Sequence, residues 1–125
     1  MTDPASGDQA FLAGDNQQNW HEMTYGGALS FARRRYSRAL DGVDVVVSGI
    51  PYDGAVTYRS GCRLGPRAIR AGSTQLAELA HFPFGFDPFD HLAVIDFGDC
   101  YLDPHHPQKQ LKKSILKIVT NSLEP

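Results

Sequence analysis

Cysteine is scarce in this sequence of 125 residues, with only Cys62 and Cys100 present, and tryptophan occurs once, at Trp20. Two thiols with no Cys-x-x-Cys pair exclude a disulfide framework and a thiolate zinc site of the usual spacing. Charge of one sign is also lacking. A net charge of −2 removes the electrostatic reason to expect nucleic acid or an anionic membrane as partner, since both select a basic surface. No apolar run approaches the roughly 20 residues that span a bilayer. The polar, acidic start from Met1 to Ala10 has neither the basic region nor the apolar region of a secretory signal. Gly-x-Gly-x-x-Gly and Gly-Lys-Ser/Thr phosphate loops are missing as well, which argues against a nucleotide-binding domain. These absences leave a cytoplasmic protein with a small-molecule or protein partner, and 42% hydrophobic with 21% charged residues fits one ordinary globular domain.

The elements that are present point to an α/β fold. Residues 1–27 read as an N-terminal arm: up to Asn19 only Phe11 and Leu12 are large and apolar, too little to build a core. Trp20 and Tyr25 suggest that the arm lies against a surface of its own domain or of another subunit. Between Ala28 and Leu40 the apolar spacing predicts a short amphipathic helix, with Arg33, Arg34, Arg35 and Arg38 forming a solvated or salt-bridged face. Val43 to Ile50 is β-branched and nearly continuous in apolar character, as in a strand covered on both faces of a parallel sheet. Pro66 suits a first helical position, and the helix predicted from it to about Ala80 would turn Ile69, Leu76 and Leu79 toward the sheet. His81 to Asp90 holds two prolines, one glycine and four phenylalanines, which predicts an ordered loop with its rings buried. Leu92 to Phe97 reads as a second buried strand, and Leu111, Ile115, Leu116, Ile118, Val119 and Leu123 as a second helix covering the sheet. Strand, crossover helix and strand form a βαβ unit, for which the right-handed parallel arrangement is preferred.

All eight arginines fall between Arg33 and Arg70, and all four lysines between Lys109 and Lys117. Residue usage therefore changes near Gln108, by chance or because the last stretch has a different origin.

Gly49-Ile50-Pro51-Tyr52-Asp53 follows the first strand, and Arg59-Ser60-Gly61-Cys62-Arg63-Leu64-Gly65-Pro66-Arg67-Ala68-Ile69-Arg70 follows that loop. This series of glycines, prolines and arginines resembles the opening of the ureohydrolase family, agmatinases and their guanidino-acid relatives, distantly similar to arginase. The likeness continues through Phe82 to Asp87 and the strand ending Val94-Ile95-Asp96-Phe97-Gly98-Asp99, and so covers roughly Tyr25 to Asp99. It implies that residues 28–125 are the N-terminal part of an arginase-like domain, the start of a three-layer α/β/α fold with a parallel sheet, incomplete as the sequence stands.

The resemblance further implies a hydrolase that releases urea from a guanidino compound such as agmatine, using two manganese ions, in a homo-oligomer. Its metal ligands come from Gly-Gly-Asp-His, Asp-Ala-His-x-Asp and Asp-x-Asp-x-x-Asp-Pro segments, none of which occurs here. No catalytic, cofactor-binding or metal-ligating residue is therefore assigned within this chain, and the segment alone is expected to be inactive and to bind no manganese tightly. The alternative reading is a truncated, non-catalytic chain acting only in assembly or interaction.

Four further groups carry expectations. The loop from Pro51 to Gly65 is expected at the carboxyl edge of the sheet, where ligands of open α/β sheets bind. Arg59 and Arg63 are expected to brace it through carboxylates, because a cationic guanidino substrate would be repelled by them. Asp53, Asp96 and Asp99 stand at strand ends; a cation site is one reading, and turn capping or pairing with arginine is the preferred one. Asp103, His105 and His106 resemble a ligand cluster, but adjacent side chains diverge on any regular backbone, and Pro104 and Pro107 favour a surface turn.

Overall fold

The computed structural model describes residues 25–77, 79–103 and 105–121, with side chains described to residue 119. The proposed arm up to Trp20 and the helix position Leu123 lie outside the described residues. Three parallel strands form one sheet in the order β1-β3-β2: β1 is Arg35–Tyr36, β2 is Val45–Gly49 and β3 is Val94–Asp99. Helix α1, Gly65–Ser73, lies between β2 and β3 in sequence, and α2, Pro107–Asn121, follows β3. The fold is the expected α/β arrangement with a parallel sheet and crossover helix.

Valine supplies β2 with the branched side chains that fit a pleated surface, and the strand stops at Gly49, two residues before Pro51. Pro66 occupies the first turn of α1, where its missing N–H costs nothing. The helix is shorter than its pattern predicted. It closes at Ser73, and a 3-10 turn, Thr74–Leu76, ends the regular backbone. Ile69, Leu76 and Leu79 are 60%, 57% and 51% exposed, so they are not packed as a sheet-facing stripe.

Three other expectations are corrected. No helix forms between Ala28 and Leu40: a 3-10 turn, Phe31–Arg33, leads into β1. Ala32 and Arg33 sit there at φ of +46° and +55°, a left-handed backbone that a helix cannot contain. Arg33 and Arg34 are buried, not solvated. Arg34 Nε donates to the Ala32 carbonyl at 2.9 Å, and its guanidinium lies 4.4 Å from the Phe89 ring centre. The phenylalanine loop is ordered, with the His81 N–H donating to the Phe86 carbonyl, yet Phe82 and Phe84 are largely exposed and Phe86 partly so. Only Phe89 of the four is half-buried. In α2, Ile115, Leu116 and Val119 are likewise about half exposed, so the helix does not bury its apolar stripe against the sheet.

The ladder between β2 and β3 is continuous except for one irregularity. Val47 faces Asp96, but the next residue, Ser48, faces Gly98, leaving Phe97 as an extra residue in β3. Gly98 adopts φ +81°, which a residue with a Cβ resists. Side chains on a regular strand alternate faces, so Asp96 and Asp99, three apart, would point to opposite sides. The bulge brings them back to the same side, and that places the site described next.

Candidate functional site

The carboxyl ends of β2 and β3 converge on Arg70, from the last turn of α1. Its Nε donates to Asp96 Oδ2 at 2.6 Å and its Nη2 to Asp96 Oδ1 at 2.9 Å, a bidentate pair. Its Nη1 donates to Asp99 Oδ1 at 2.7 Å. Asp96 is fully buried, while Asp99 is partly exposed. A buried charge is tolerable only when its lone pairs are occupied, and here they are. Asp96 Oδ2 also accepts the Phe31 N–H and Oδ1 the Gly98 N–H, both at 2.8 Å. The four acceptor positions of this carboxylate thus hold α1, the turn before β1 and the bulge of β3.

Burial acts to raise the Asp96 pKa. The Arg70 hydrogen bonds, followed by the Phe31 and Gly98 N–H groups, outweigh it and hold the carboxyl below its ordinary value. Arg70 shifts in the opposite direction: its hydrogen bonds to Asp96 outweigh desolvation and, with Asp99, hold the guanidinium protonated more firmly than usual. The end of α1 is tied to the same turn a second time. Ser73 Oγ accepts the Ala32 N–H at 2.8 Å and donates to the Arg70 carbonyl at 2.9 Å.

The glycine-rich loop of residues 51–65 leaves β2 at this edge, as expected. Asp53 Oδ2 accepts the Gly61 N–H at 2.8 Å and Arg63 Nη1 at 2.9 Å. The Gly61 N–H is the main cause that keeps the Asp53 carboxyl below its ordinary pKa; partial desolvation opposes it, and Arg63 adds attraction. Arg63 therefore braces the loop through a carboxylate, as the sequence predicts, whereas Arg59 lies 5.1 Å over the Tyr58 ring. Gly49 is required where loop and sheet meet. A Cβ there would fall 2.7 Å from Pro66 Cβ and collide with the Asp99 carboxylate.

Asp53, Asp96 and Asp99 are all engaged by arginine, which is the pairing role preferred from sequence. They do not converge as an oxygen-rich set for a divalent ion. Among the described residues no three His, Cys, Asp or Glu side chains are placed to hold a metal. His105 and His106 lie on an exposed turn: Asp103 Oδ1 accepts the His105 N–H, and Asp103 Oδ2 is 3.6 Å from His106 Nδ1. Cys62 is exposed, and Cys100 is buried with its Sγ 3.6 Å from Ser48 Oγ. The hub residue, Arg70, stood in the motif without an assigned role. Its signal was the pair of carboxylates Asp96 and Asp99 flanking Gly98, legible only once the bulge is allowed for.

The model described as "Arginase family" matches residues 43–125. An agmatinase of Chromobacterium violaceum is 62% identical over 96 residues, 77% of this chain and 30% of that protein. An agmatinase of Neisseria meningitidis serogroup C is 53% identical over 57 residues, 45% of this chain and 19% of that one. The crystal structure of a hypothetical agmatinase from Burkholderia thailandensis superposes with a TM-score of 0.80 at 53% identity, covering 92% of this chain and 38% of the other. The chain thus spans between about a fifth and two-fifths of the length of these relatives, and with the family model matching residues 43–125 it belongs to the arginase family.

Proposed function

We propose that these residues form the amino-terminal part of a ureohydrolase, an agmatinase that converts agmatine and water to putrescine and urea. The observation that carries this reading is the high identity to an agmatinase over three quarters of the chain. In the complete enzyme the chemistry rests on two manganese ions, whose ligands lie in segments that this sequence does not contain. The residues present do not fit those ions, because Asp53, Asp96 and Asp99 already serve arginine and backbone donors. No step of the reaction is assigned to them. Their part is to fix the carboxyl edge of the sheet: Arg70 locks β3 to α1, and Asp53 shapes the loop of residues 51–65.

Residues 1–27 serve as an arm and residues 28–125 as the opening of the catalytic domain. The oligomeric habit of the family and two unbridged thiols support a cytoplasmic homo-oligomer, and no described helix is long and apolar enough to cross a membrane. The alternative reading is a non-catalytic chain that acts only in assembly or interaction.

Urea release decides between them. The purified chain with manganese and agmatine is expected to release none, and release from this polypeptide alone would overturn the scaffold role. A polypeptide continuing through the ligand segments is expected to release urea from agmatine; if it does not, the agmatinase reading fails.

A further inference from the structure

Aspartate precedes glycine twice in this sequence, at Asp41-Gly42 and at Asp53-Gly54. The dipeptide carries an intrinsic reactivity. The glycine backbone nitrogen can reach the aspartate Cγ, and glycine, having no Cβ, neither shields that nitrogen nor hinders rotation of the peptide between them. The fold treats the two pairs differently.

Asp53 is held in place. Its Oδ2 accepts the Gly61 N–H at 2.8 Å and Arg63 Nη1 at 2.9 Å, and its side chain is only 14% exposed. Tyr52 packs closely on the adjoining glycine: a Cβ at Gly54 would fall 2.7 Å from Tyr52 Oη and 2.9 Å from its ring. The same contacts keep the Asp53 carboxyl below its ordinary pKa, so it stays an ionised carboxylate, which gives up an oxygen poorly.

Asp41 is the opposite case. It is exposed, as is Gly42, and among the described residues no donor reaches the Asp41 carboxylate and no acceptor the Gly42 N–H. One hydrogen bond spans the turn, from the Val43 N–H to the Leu40 carbonyl at 3.2 Å. Gly42 adopts φ +68°, and a Cβ there would meet nothing within 4 Å. Firm ground starts just beyond it: the Asp44 and Val45 N–H groups donate to the Ala93 carbonyl, and Asp44 Oδ2 accepts the Ala93 N–H. Local opening is therefore cheapest at the turn itself.

We propose that Asp41-Gly42 is a site of covalent self-modification, where aspartate isomerises to isoaspartate through a cyclic imide while the fold protects Asp53-Gly54. The inference rests on the two turns and not on the agmatinase reading. The Gly42 nitrogen attacks Asp41 Cγ, the new C–N bond closes a five-membered ring, and a carboxyl oxygen leaves as water with the nitrogen's proton. Water then reopens the ring. Attack at Cγ restores aspartate; attack at the main-chain carbonyl leaves Gly42 bonded to Cγ, so that the backbone gains one methylene and the free carboxylate sits on Cα. That extra atom falls in the connection entering β2, at the amino edge of the sheet, and Arg70 at the carboxyl edge is untouched.

The test is to age the full 125-residue chain at neutral pH, in buffer and in concentrated urea, and to quantify isoaspartate by peptide mapping with electron-transfer fragmentation. In buffer, conversion at Asp41 is expected to be at least about tenfold faster than at Asp53, a ratio that needs a barrier difference of only about 1.4 kcal/mol. In urea the two rates should converge. Equal rates in buffer, or a ratio that urea leaves unchanged, overturns the proposal, because the fold would then not select the site. Asp41→Glu keeps the charge but would require a six-membered ring, so it is expected to abolish the isomerised product in that peptide while amide exchange in β2 and β3 stays as in the parent chain. An isomerised product that persists in that peptide of Asp41→Glu would place the reaction at another residue and overturn the proposal as well.

Discussion

Arg70 and Asp96 meet as a buried fork, two parallel hydrogen bonds of 2.6 and 2.9 Å between the last turn of α1 and the middle of β3. Breaking such a pair from one side leaves the other charge buried without compensation, at a cost of about 3–5 kcal/mol. Arg70→Met is therefore expected to lose about that much in urea denaturation, a large fraction of the stability of a small domain. Asp96→Asn is expected to lose comparably, because its amide nitrogen must face donors at one end of the fork or the other. The double variant should cost less than the sum, since the second change removes a charge already orphaned. Additive losses would mean that the two groups stabilise the fold independently.

The depressed pKa of Asp96 fixes a direction for pH dependence. The unfolded carboxyl titrates at its ordinary value near 3.8 and the folded one below it, so the folded state binds fewer protons between the two values. Stability from this group is complete above about pH 4 and is lost as pH falls through the folded pKa. Denaturation midpoints measured downward from pH 5 are expected to drop below pH 4, and to drop less in Asp96→Asn. An unchanged acid limb in that variant would assign the effect to other carboxylates.

How far the sequence disclosed this arrangement depends on the kind of signal. β2, β3 and α1 were legible because runs of valine and an early proline act locally. That the carboxylates cap turns or pair with arginine was legible from their places at strand ends, but which arginine each would meet was not. The turn at Phe31–Arg33 was not legible: its apolar spacing imitates a helix, and the backbone instead follows the Phe31 N–H to Asp96, 65 residues away. Arg70 was missed for a related reason. Strict alternation separates Asp96 from Asp99, and only the extra residue Phe97 reunites them. The expected burial of Phe82 and Phe84 and of the α2 stripe failed because apolar composition and periodicity report which groups are apolar, not whether a partner is present to cover them.

Asp53 holds the motif loop by one backbone and one side-chain contact, so its removal is expected to act locally. In Asp53→Ala the Gly61 amide should exchange faster, with β2 and β3 amides unchanged. Arg63→Ala should have the smaller effect, because its side chain is 59% exposed and exposed pairs contribute little. Exchange mass spectrometry resolves the two, and equal acceleration across the sheet in Asp53→Ala would show that the loop supports the core.

Gly98 and Gly42 both have positive φ, +81° and +68°, but their surroundings differ, which separates backbone strain from packing. At Gly42 a new Cβ meets nothing within 4 Å, whereas at Gly98 it falls on the Tyr36 ring, 2.8 Å from Cζ. Gly42→Ala is expected to cost only the left-handed backbone penalty, about 1–2 kcal/mol. Gly98→Ala adds overpacking of roughly 1–3 kcal/mol and acts on the residue that lets the bulge form. If the bulge relaxes, Asp99 turns to the opposite face and leaves Arg70. The expected signature is therefore a larger loss in denaturation together with a changed Arg70 side-chain resonance, abolished when Asp99 is also replaced by alanine. Equal losses in the two glycine variants, with the Arg70 resonance unmoved, would show that the bulge does not depend on Gly98.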